Sequence, residues 1–278
     1  MNTEDIHPAI PYFYGALIVG GLICLVRDLF FEPKESSIRK EVVLDPWKIK
    51  GLDLALILTF IYLLIFAAGA LTIEGYKVIF NTEEIAEEHL FIFGFPMHIA
   101  ILVSLYGFFR YFNLANDVPL NPVNHGILAL VSRAFYYFLA IIPILMAVGY
   151  IWPKILEFFN LPLDHQDLVT QIMDMGLSPM FFLIAFLAVI MAPISEELLF
   201  RAFIYRSLKT YTSKNTSAVV TSLMFAGMHF NFHSFLPLFL LGLWLCRSYE
   251  KTGNLWVPII LHAFFNGNTL VTLMLLGS

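Results

Sequence analysis

Long apolar segments, almost free of charge, dominate the pattern of hydrophobic and polar positions along the chain. They cover residues 9–26, 52–73, 90–109, 126–152, 177–195, 215–232, 234–246 and 254–276. Most of them approach or exceed the roughly 20 residues with which a helix crosses a bilayer core of ~30 Å. Their hydrophobicity is continuous rather than alternating, which favours helices over barrel strands. The pattern predicts an all-α, polytopic membrane helix bundle with about eight transmembrane helices.

The composition supports a membrane protein. Hydrophobic residues make up 59% of the 278-residue chain and charged residues 13%, whereas a soluble domain has about 45–50% apolar and about 25% charged residues. Cys24 and Cys246 both lie in apolar runs, which is typical of small buried thiols rather than of a disulfide or a metal site. The partner expected from composition is the lipid bilayer, and no nucleic-acid partner is expected.

Lysine and arginine are distributed unevenly between successive loops. The loop after the first apolar run contains Lys34, Arg39, Lys40, Lys48 and Lys50. Because cytoplasmic loops are enriched in these residues, this loop is expected inside and the N-terminus outside. Alternation then places the acidic segments 74–89 and 153–176 outside, and the basic segments near Arg110, 206–214 and 247–251 inside. We expect a multi-pass protein of a prokaryotic inner membrane or plasma membrane.

The polar residues inside the apolar runs are concentrated near the C-terminus. Residues 1–176 are hydrophobic and have few groups suited to chemistry, whereas 177–278 carry nearly every intramembrane polar group. We interpret 1–176 as N-terminal scaffold helices and 177–278 as a catalytic core, within one structural domain.

Two adjacent carboxylates, Glu196 and Glu197, follow an uncharged run of membrane length. Ionisable groups in a span are costly and usually mark a functional cavity. On a helix, Glu197 and Arg201 share a face at i, i+4 and can pair, whereas Glu196 points about 100° away. This predicts a structural Glu197–Arg201 ion pair and a free, reactive Glu196. The alternative is a helix that leaves the membrane at Ser195 and exposes both carboxylates to water.

His229 lies near the end of the apolar segment 215–232, four residues after Phe225. If the intervening hairpin turns near Thr212, Glu196 and His229 are at similar distances from the turn, about 24–26 Å at ~1.5 Å per residue. A carboxylate and an imidazole can then meet across the helix pair and hold and deprotonate a water. The alternative is a histidine that serves only the packing of the core.

His262 and Asn266 lie on one face of the last apolar run, at i, i+4. Both side chains donate hydrogen bonds and are suited to stabilising an oxyanion. The alternative is a pair of interhelical hydrogen bonds, which are common in membrane bundles.

Three further polar residues have no catalytic assignment. His98 follows Pro96 in an apolar run, where helix packing or the wall of a cavity is the expected role. Asn231 and His233 follow His229 closely and are suited to the mouth of a cavity.

The three motifs together resemble the CPBP family, which includes type II CAAX prenyl endopeptidases and bacteriocin-processing enzymes. The resemblance covers approximately residues 191–266 and rests on Glu196-Glu197-x-x-x-Arg201, Phe225-x-x-x-His229 and His262-x-x-x-Asn266, in that order. The connecting segments 241–242 and 252–258 also resemble the family in their spacing.

The resemblance implies a glutamate-dependent intramembrane endopeptidase that acts on a protein or peptide with a membrane-associated segment. Glu196 and His229 would activate a water, and His262 and Asn266 would stabilise the oxyanion. Glu197 and Arg201 would orient Glu196 and brace the helix.

Three other interpretations remain open at this point. Two histidines and one or two glutamates can form a zinc site with an open position, although the resemblance favours a mechanism with no metal or other cofactor. The same polar residues can serve a non-catalytic membrane partner or maturation factor. A transporter would need matching polar groups in both halves of the chain, and the first half lacks them.

Overall fold

A computed structural model describes residues 9–30, 44–82, 94–114, 117–118, 126–163 and 178–277. Eight helices form the architecture of these residues: α1 (Ala9–Phe30), α2 (Gly51–Phe80), α3 (Gly94–Tyr111), α4 (Ile127–Phe158), α5 (Pro179–Leu208), α6 (Lys214–Gly227), α7 (Phe232–Thr252) and α8 (Trp256–Gly277). The predicted all-α helix bundle is therefore confirmed.

The helices differ in their ability to cross a bilayer. Five of the helices in the described ranges are long and apolar enough to do so, namely α1, α2, α4, α5 and α8. The remaining three of the eight predicted spans form the shorter or more polar helices α3, α6 and α7, with 18, 14 and 21 residues. At ~1.5 Å per residue, α6 is only about 21 Å long. The chain is an integral membrane protein in which these three helices complete the bundle.

Helix α5 carries both glutamates and continues past Ser195, where the alternative interpretation had the helix leave the membrane. It includes two π-helical stretches, Leu187–Met191 and Leu198–Tyr205, which flank the α-helical turn Ala192–Glu197. π-Helical insertions are rare and frequently occur at functional sites. Because α5 runs on to Leu208 and the Glu197 side chain is fully buried, the solvated arrangement of the two carboxylates is wrong.

The hydrophobic core draws on both parts of the chain. A single buried cluster contains Trp47 and Ile101 from the N-terminal part together with Phe203, Leu241 and Leu261 from the C-terminal part. Burial of apolar side chains against α5 and α7 thus joins the scaffold helices to the C-terminal helices. The division at residues 176 and 177 stays a prediction.

Basic residues meet at one end of the bundle. Arg247 pairs with Asp28 at 2.8 Å, which joins the C-terminal part of α7 to the last turn of α1. Arg206 donates to the carbonyl oxygen of Asp45, which precedes α2, at 2.9 Å and to that of Asp117, which follows α3, at 2.7 Å. We call this end, where Arg206, Arg247 and these partners meet, the basic end.

Some charged residues of the predicted loops belong to described segments, and others do not. The basic residues Lys34, Arg39 and Lys40 and the acidic residues Glu83, Glu84, Glu87, Glu88, Asp164, Asp167 and Asp174 lie outside the described residues. The turn near Thr212 is present between α5 and α6, as predicted. It lies at the basic end, because Lys209 in the same turn donates to the carbonyl oxygen of Leu44 at 2.6 Å.

Helices α1 and α4 approach closely at Gly21. A Cβ atom at this position would lie 2.8 Å from the ring carbons of Pro143 and would also collide with the backbone oxygen of Leu139. We expect Gly21→Ala to lower the free energy of unfolding by about 1–3 kcal/mol, the usual cost of overpacking. Gly20→Ala is the matched control, because a Cβ there meets nothing within 4 Å. Unfolding of the detergent-solubilised variants, followed by circular dichroism, measures the difference; equal stability of the two variants would contradict the close approach.

Candidate active site

A single cavity brings together the four residues predicted to be catalytic. Its volume is about 410 Å³, and Glu196 of α5, His229, and His262 and Asn266 of α8 all line it. The wall is otherwise mostly apolar, with Leu187, Ala192, Pro237, Leu238, Leu270 and Leu273 among its residues. Polar groups converging in an apolar cavity are the usual form of a small binding or catalytic site.

The predicted ion pair between Glu197 and Arg201 is present next to this cavity. Arg201 Nη1 donates to Glu197 Oε1 at 2.8 Å, and both side chains are 0% exposed. Arg201 Nη2 donates to the carbonyl oxygen of Gly242 at 3.2 Å, and the guanidinium lies 4.6 Å from the ring centroid of Phe225. The pair therefore connects α5 to both α6 and α7.

Glu197 also contacts His262, which the sequence motifs did not indicate. Glu197 Oε1 lies 3.0 Å from His262 Nδ1. Because the carboxylate that pairs with Arg201 is an acceptor, His262 Nδ1 carries a proton and donates it. The second nitrogen, Nε2, is then a lone-pair acceptor in the neutral ring and a donor only in the imidazolium. Glu197 thus holds the His262 ring in place as well as pairing with Arg201.

Glu196 is the carboxylate that faces the cavity. Its side chain is 15% exposed, and its Oε2 lies 3.8 Å from His262 Nε2. That oxygen is buried and has no hydrogen-bond partner among the described residues. A buried carboxylate oxygen without a protein partner is costly and is therefore suited to accept a proton from a bound molecule. The predicted difference between a free Glu196 and a paired Glu197 agrees with this geometry.

His229 lies in the turn after α6, because that helix ends at Gly227 rather than continuing through the apolar segment. Its Nδ1 is 2.9 Å from the carbonyl oxygen of Phe225. A carbonyl only accepts, so Nδ1 carries the proton and Nε2 of the neutral ring is an acceptor. His229 shares the cavity with Glu196, as the helix register predicted, but the imidazole within 4 Å of the Glu196 carboxylate is that of His262.

Asn266 bonds the backbone of α5 from within the cavity wall. Its Nδ2 donates to the carbonyl oxygen of Ala188 at 2.7 Å. Within α5 the N–H of Ala192 bonds Leu187 and Pro193 has no N–H, so the usual helical donors to Ala188 are missing. Asn266 therefore has the interhelical bonding role considered as the alternative, while its second amide N–H remains for another acceptor.

His98 of α3 is a further polar residue in the cavity wall. It is buried, and its Nδ1 lies 2.6 Å from Ser195 Oγ. The Ser195 hydroxyl donates its single proton to the carbonyl oxygen of Ala192 at 3.0 Å, so it accepts from His98. The bond holds α3 to α5 one residue before Glu196. Residues 98 and 195 are far apart in sequence, and no local motif relates them.

We expect His98→Ala and Ser195→Ala each to lower the rate of the expected peptide hydrolysis about tenfold. Each variant loses the one buried hydrogen bond that positions Glu196. The double variant should be no slower than the slower single variant, because both changes remove the same bond. Ser104→Ala is the matched control: Ser104 is buried on α3 but bonds only its own helix, at Ala100. The rates are measured as kcat in proteoliposomes. If the losses in His98→Ala and Ser195→Ala add up in the double variant, the two residues do not share a positioning role.

The side chains of the cavity are not arranged as a metal-binding cluster. Within the described ranges, no group of three or more His, Cys, Asp and Glu side chains is placed to hold one ion.

Comparison with known proteins addresses the same part of the chain. Residues 178–268 match the family model described as type II CAAX prenyl endopeptidase Rce1-like. The resemblance inferred from the motifs is confirmed over this segment. The match extends from the start of α5 through most of α8 and contains the seven motif residues Glu196, Glu197, Arg201, Phe225, His229, His262 and Asn266.

A curated relative supports this assignment over a short segment. UPF0177 protein YxdF of Lactococcus lactis subsp. lactis (strain IL1403) is 35% identical over 78 residues, which are 28% of this chain and 42% of that protein. The matched region thus spans less than half the length of that relative. No solved structure matches the chain significantly.

Proposed function

We propose that the protein is an intramembrane endopeptidase that hydrolyses a peptide bond in or near the membrane with a water activated by Glu196 and His229. The observation that carries this proposal is the contrast between two adjacent carboxylates. Glu197 is fully buried and paired with Arg201, whereas Glu196 lies outside that pair, lines the cavity and is 15% exposed. Glu196 is therefore the carboxylate that is available for general-base catalysis.

The reaction begins with a water that donates hydrogen bonds to the Glu196 carboxylate and to Nε2 of neutral His229. Glu196 takes one proton as the water oxygen attacks the carbonyl carbon of the scissile peptide. The C–N bond then breaks, and the leaving nitrogen takes the proton held by Glu196 to become an amine, which restores the Glu196 carboxylate. His229 can accept a hydrogen bond from the water at Nε2, because the proton on its Nδ1 is bonded to the carbonyl oxygen of Phe225.

The oxyanion of the tetrahedral intermediate is stabilised from α8. His262 donates from Nε2 as an imidazolium, since its Nδ1 proton is bonded to Glu197. Asn266 donates through the amide hydrogen that does not bond Ala188. Donors that are already held in place lose little free energy in reorganisation as the charge develops.

The wall of the cavity agrees with a substrate that has a membrane-associated segment. Leu187, Leu270 and Leu273 form an apolar surface beside the polar residues of the cavity. An apolar segment of a protein or peptide can enter from the bilayer along this surface without exposing its side chains to water. The membrane is proposed to be a prokaryotic inner membrane or plasma membrane.

The proposed chemistry needs no metal ion. We expect a strong chelator such as EDTA or phenanthroline to leave the rate of substrate cleavage unchanged within about twofold. The physical reason is that Glu196 and His229 activate the water by accepting its hydrogen bonds, whereas a zinc ion would activate it by lowering the pKa of a bound water. Loss of activity on chelation, followed by recovery on addition of Zn²⁺, would support the zinc-dependent alternative.

The function is tested by comparing the membrane proteomes of cells that carry the wild-type protein and the Glu196→Gln variant. The expected result is at least one protein whose cleaved fragment appears only with the wild type. If the biological output persists with folded Glu196→Gln and no fragment depends on Glu196, the chain acts as a non-catalytic membrane partner instead.

A further inference from the structure

The cavity extends along the helices of the bundle, from Glu196 and His262 toward one end. On α5 it extends from Glu196 back to Leu187, and on α8 it extends from His262 forward to Leu273. Helix α5 ends at the basic end and α8 runs antiparallel to it, so both displacements lead away from the basic end. At ~1.5 Å per residue they correspond to about 14 and about 16 Å. The lining residues of α5 and of α8 therefore each show that the cavity extends away from the basic end.

The turn between α6 and α7 confirms this direction. It contains Asn231 and lies at the end opposite to the 209–213 turn that precedes α6. The cavity is lined there by Asn231, His233 and Ser234, whereas it includes no residue of α7 beyond Leu238. Trp152, near the end of α4, donates to the carbonyl oxygen of Phe232 at 2.8 Å. The polar end of the cavity, where Asn231 and His233 are partly exposed, therefore lies away from Arg206 and Arg247, and we take this end as the mouth of the cavity.

The two ends of the bundle differ in their positive charge. Among the described residues, the far end carries Lys77, in the last turn of α2, and Lys154, near the end of α4. The basic end carries Arg27, Lys48, Lys50, Arg110, Arg206, Lys209, Lys214, Arg247 and Lys251. Lysine and arginine accumulate on the cytoplasmic side of multi-pass proteins. The basic end is therefore cytoplasmic.

From these three observations we propose that the cavity opens to the extracytoplasmic side of the membrane. The substrate is then a membrane-associated protein or peptide whose scissile bond lies at the extracytoplasmic end of its apolar segment. The identity of this substrate class rests on the proposed peptidase function, whereas the direction of the cavity does not. A peptide tail that is confined to the cytoplasm, such as a prenylated C-terminus, cannot reach this mouth.

The direction is tested by labelling single cysteines in a background in which Cys24 and Cys246 are replaced by alanine. Phe230→Cys reports the cavity mouth, because Phe230 is 93% exposed in the α6–α7 turn. Lys214→Cys is the matched control at the exposed start of α6 on the basic end. With a membrane-impermeant maleimide on intact cells, we expect Phe230→Cys to be labelled and Lys214→Cys to be labelled only after permeabilisation. Labelling in detergent shows that both thiols are reactive.

The opposite pattern, in which Lys214→Cys is labelled in intact cells and Phe230→Cys is not, overturns the proposal. The same pair of variants made in a Glu196→Gln background gives the orientation without proteolysis. Failure of the peptidase proposal therefore leaves the labelling result unchanged, and failure of the orientation leaves Glu196-dependent cleavage unchanged. Where a substrate fragment is found, its appearance on the cytoplasmic side would also overturn the proposed direction.

Discussion

Glu196→Gln is expected to slow peptide hydrolysis by about 10²–10⁴-fold, the contribution that a positioned general base usually makes. Glutamine keeps the shape of the side chain and one carbonyl oxygen, but the amide cannot take a proton from water at neutral pH. The Glu196 carboxylate is outside the Arg201 ion pair, and its Oε2 has no hydrogen-bond partner in the described part of the chain. The substitution should therefore change the free energy of unfolding by less than about 1 kcal/mol.

The control is Glu197→Gln, which removes the neighbouring carboxylate of the same α5 turn. This variant should lose stability as well as activity, because Arg201 and His262 both bond Glu197 Oε1. Cleavage of the identified substrate in proteoliposomes measures activity, and thermal unfolding in detergent measures stability. If Glu196→Gln retains more than about a third of the wild-type rate, the proton acceptor is another group.

Arg201→Met is expected to lower the free energy of unfolding by about 3–5 kcal/mol, the usual cost of breaking a buried ion pair from one side. The substitution leaves the Glu197 carboxylate buried with 0% exposure and without its guanidinium partner. It also removes the bond to the carbonyl oxygen of Gly242 and the contact with the ring of Phe225. The loss should therefore affect the joint packing of α5, α6 and α7.

Arg247→Met is the comparison variant, because the Arg247 side chain is 33% exposed, although its partner Asp28 is only 2% exposed. Water screens the guanidinium side of this pair, so we expect a smaller loss than for Arg201→Met, about 1–3 kcal/mol, which comes from leaving the Asp28 carboxylate without its partner. The double variant Glu197→Gln/Arg201→Met should be more stable than Arg201→Met alone, since it leaves no unpaired charge. Denaturant unfolding in detergent measures these differences. A loss for Arg201→Met as small as that for Arg247→Met would show that the buried pair contributes little.

The fold class was predictable because long uncharged segments have few stable alternatives in lipid. A helix satisfies its own backbone hydrogen bonds, so each apolar run predicts one helix whatever its neighbours are. The ends of the helices were less predictable. Helix α6 stops at Gly227 and leaves His229 in a turn, although the apolar sequence continues. Two hydrogen bonds support this turn: Asn231 accepts from the Ser234 N–H at the start of α7, and Trp152 of α4 donates to the carbonyl oxygen of Phe232.

The ion pair between Glu197 and Arg201 was predictable from the spacing of the two residues, because i, i+4 positions share a helical face. The bond between Glu197 and His262 was not, since these residues are 65 positions apart. The same holds for His98 and Ser195, which are 97 positions apart. Contacts between helices depend on their packing angles and rotations, which a local pattern does not specify.

The sequence by itself determined that this is a helical membrane protein and that Glu196, His229, His262 and Asn266 are the candidates for its chemistry. Tertiary structure alone decided how these residues meet: His262, rather than His229, lies closest to the Glu196 carboxylate, and Asn266 bonds the α5 backbone at Ala188. The physical reason is that hydrophobic periodicity and local spacing act within one helix. The distances between catalytic atoms are set by the packing of α3, α5, α6 and α8 against one another.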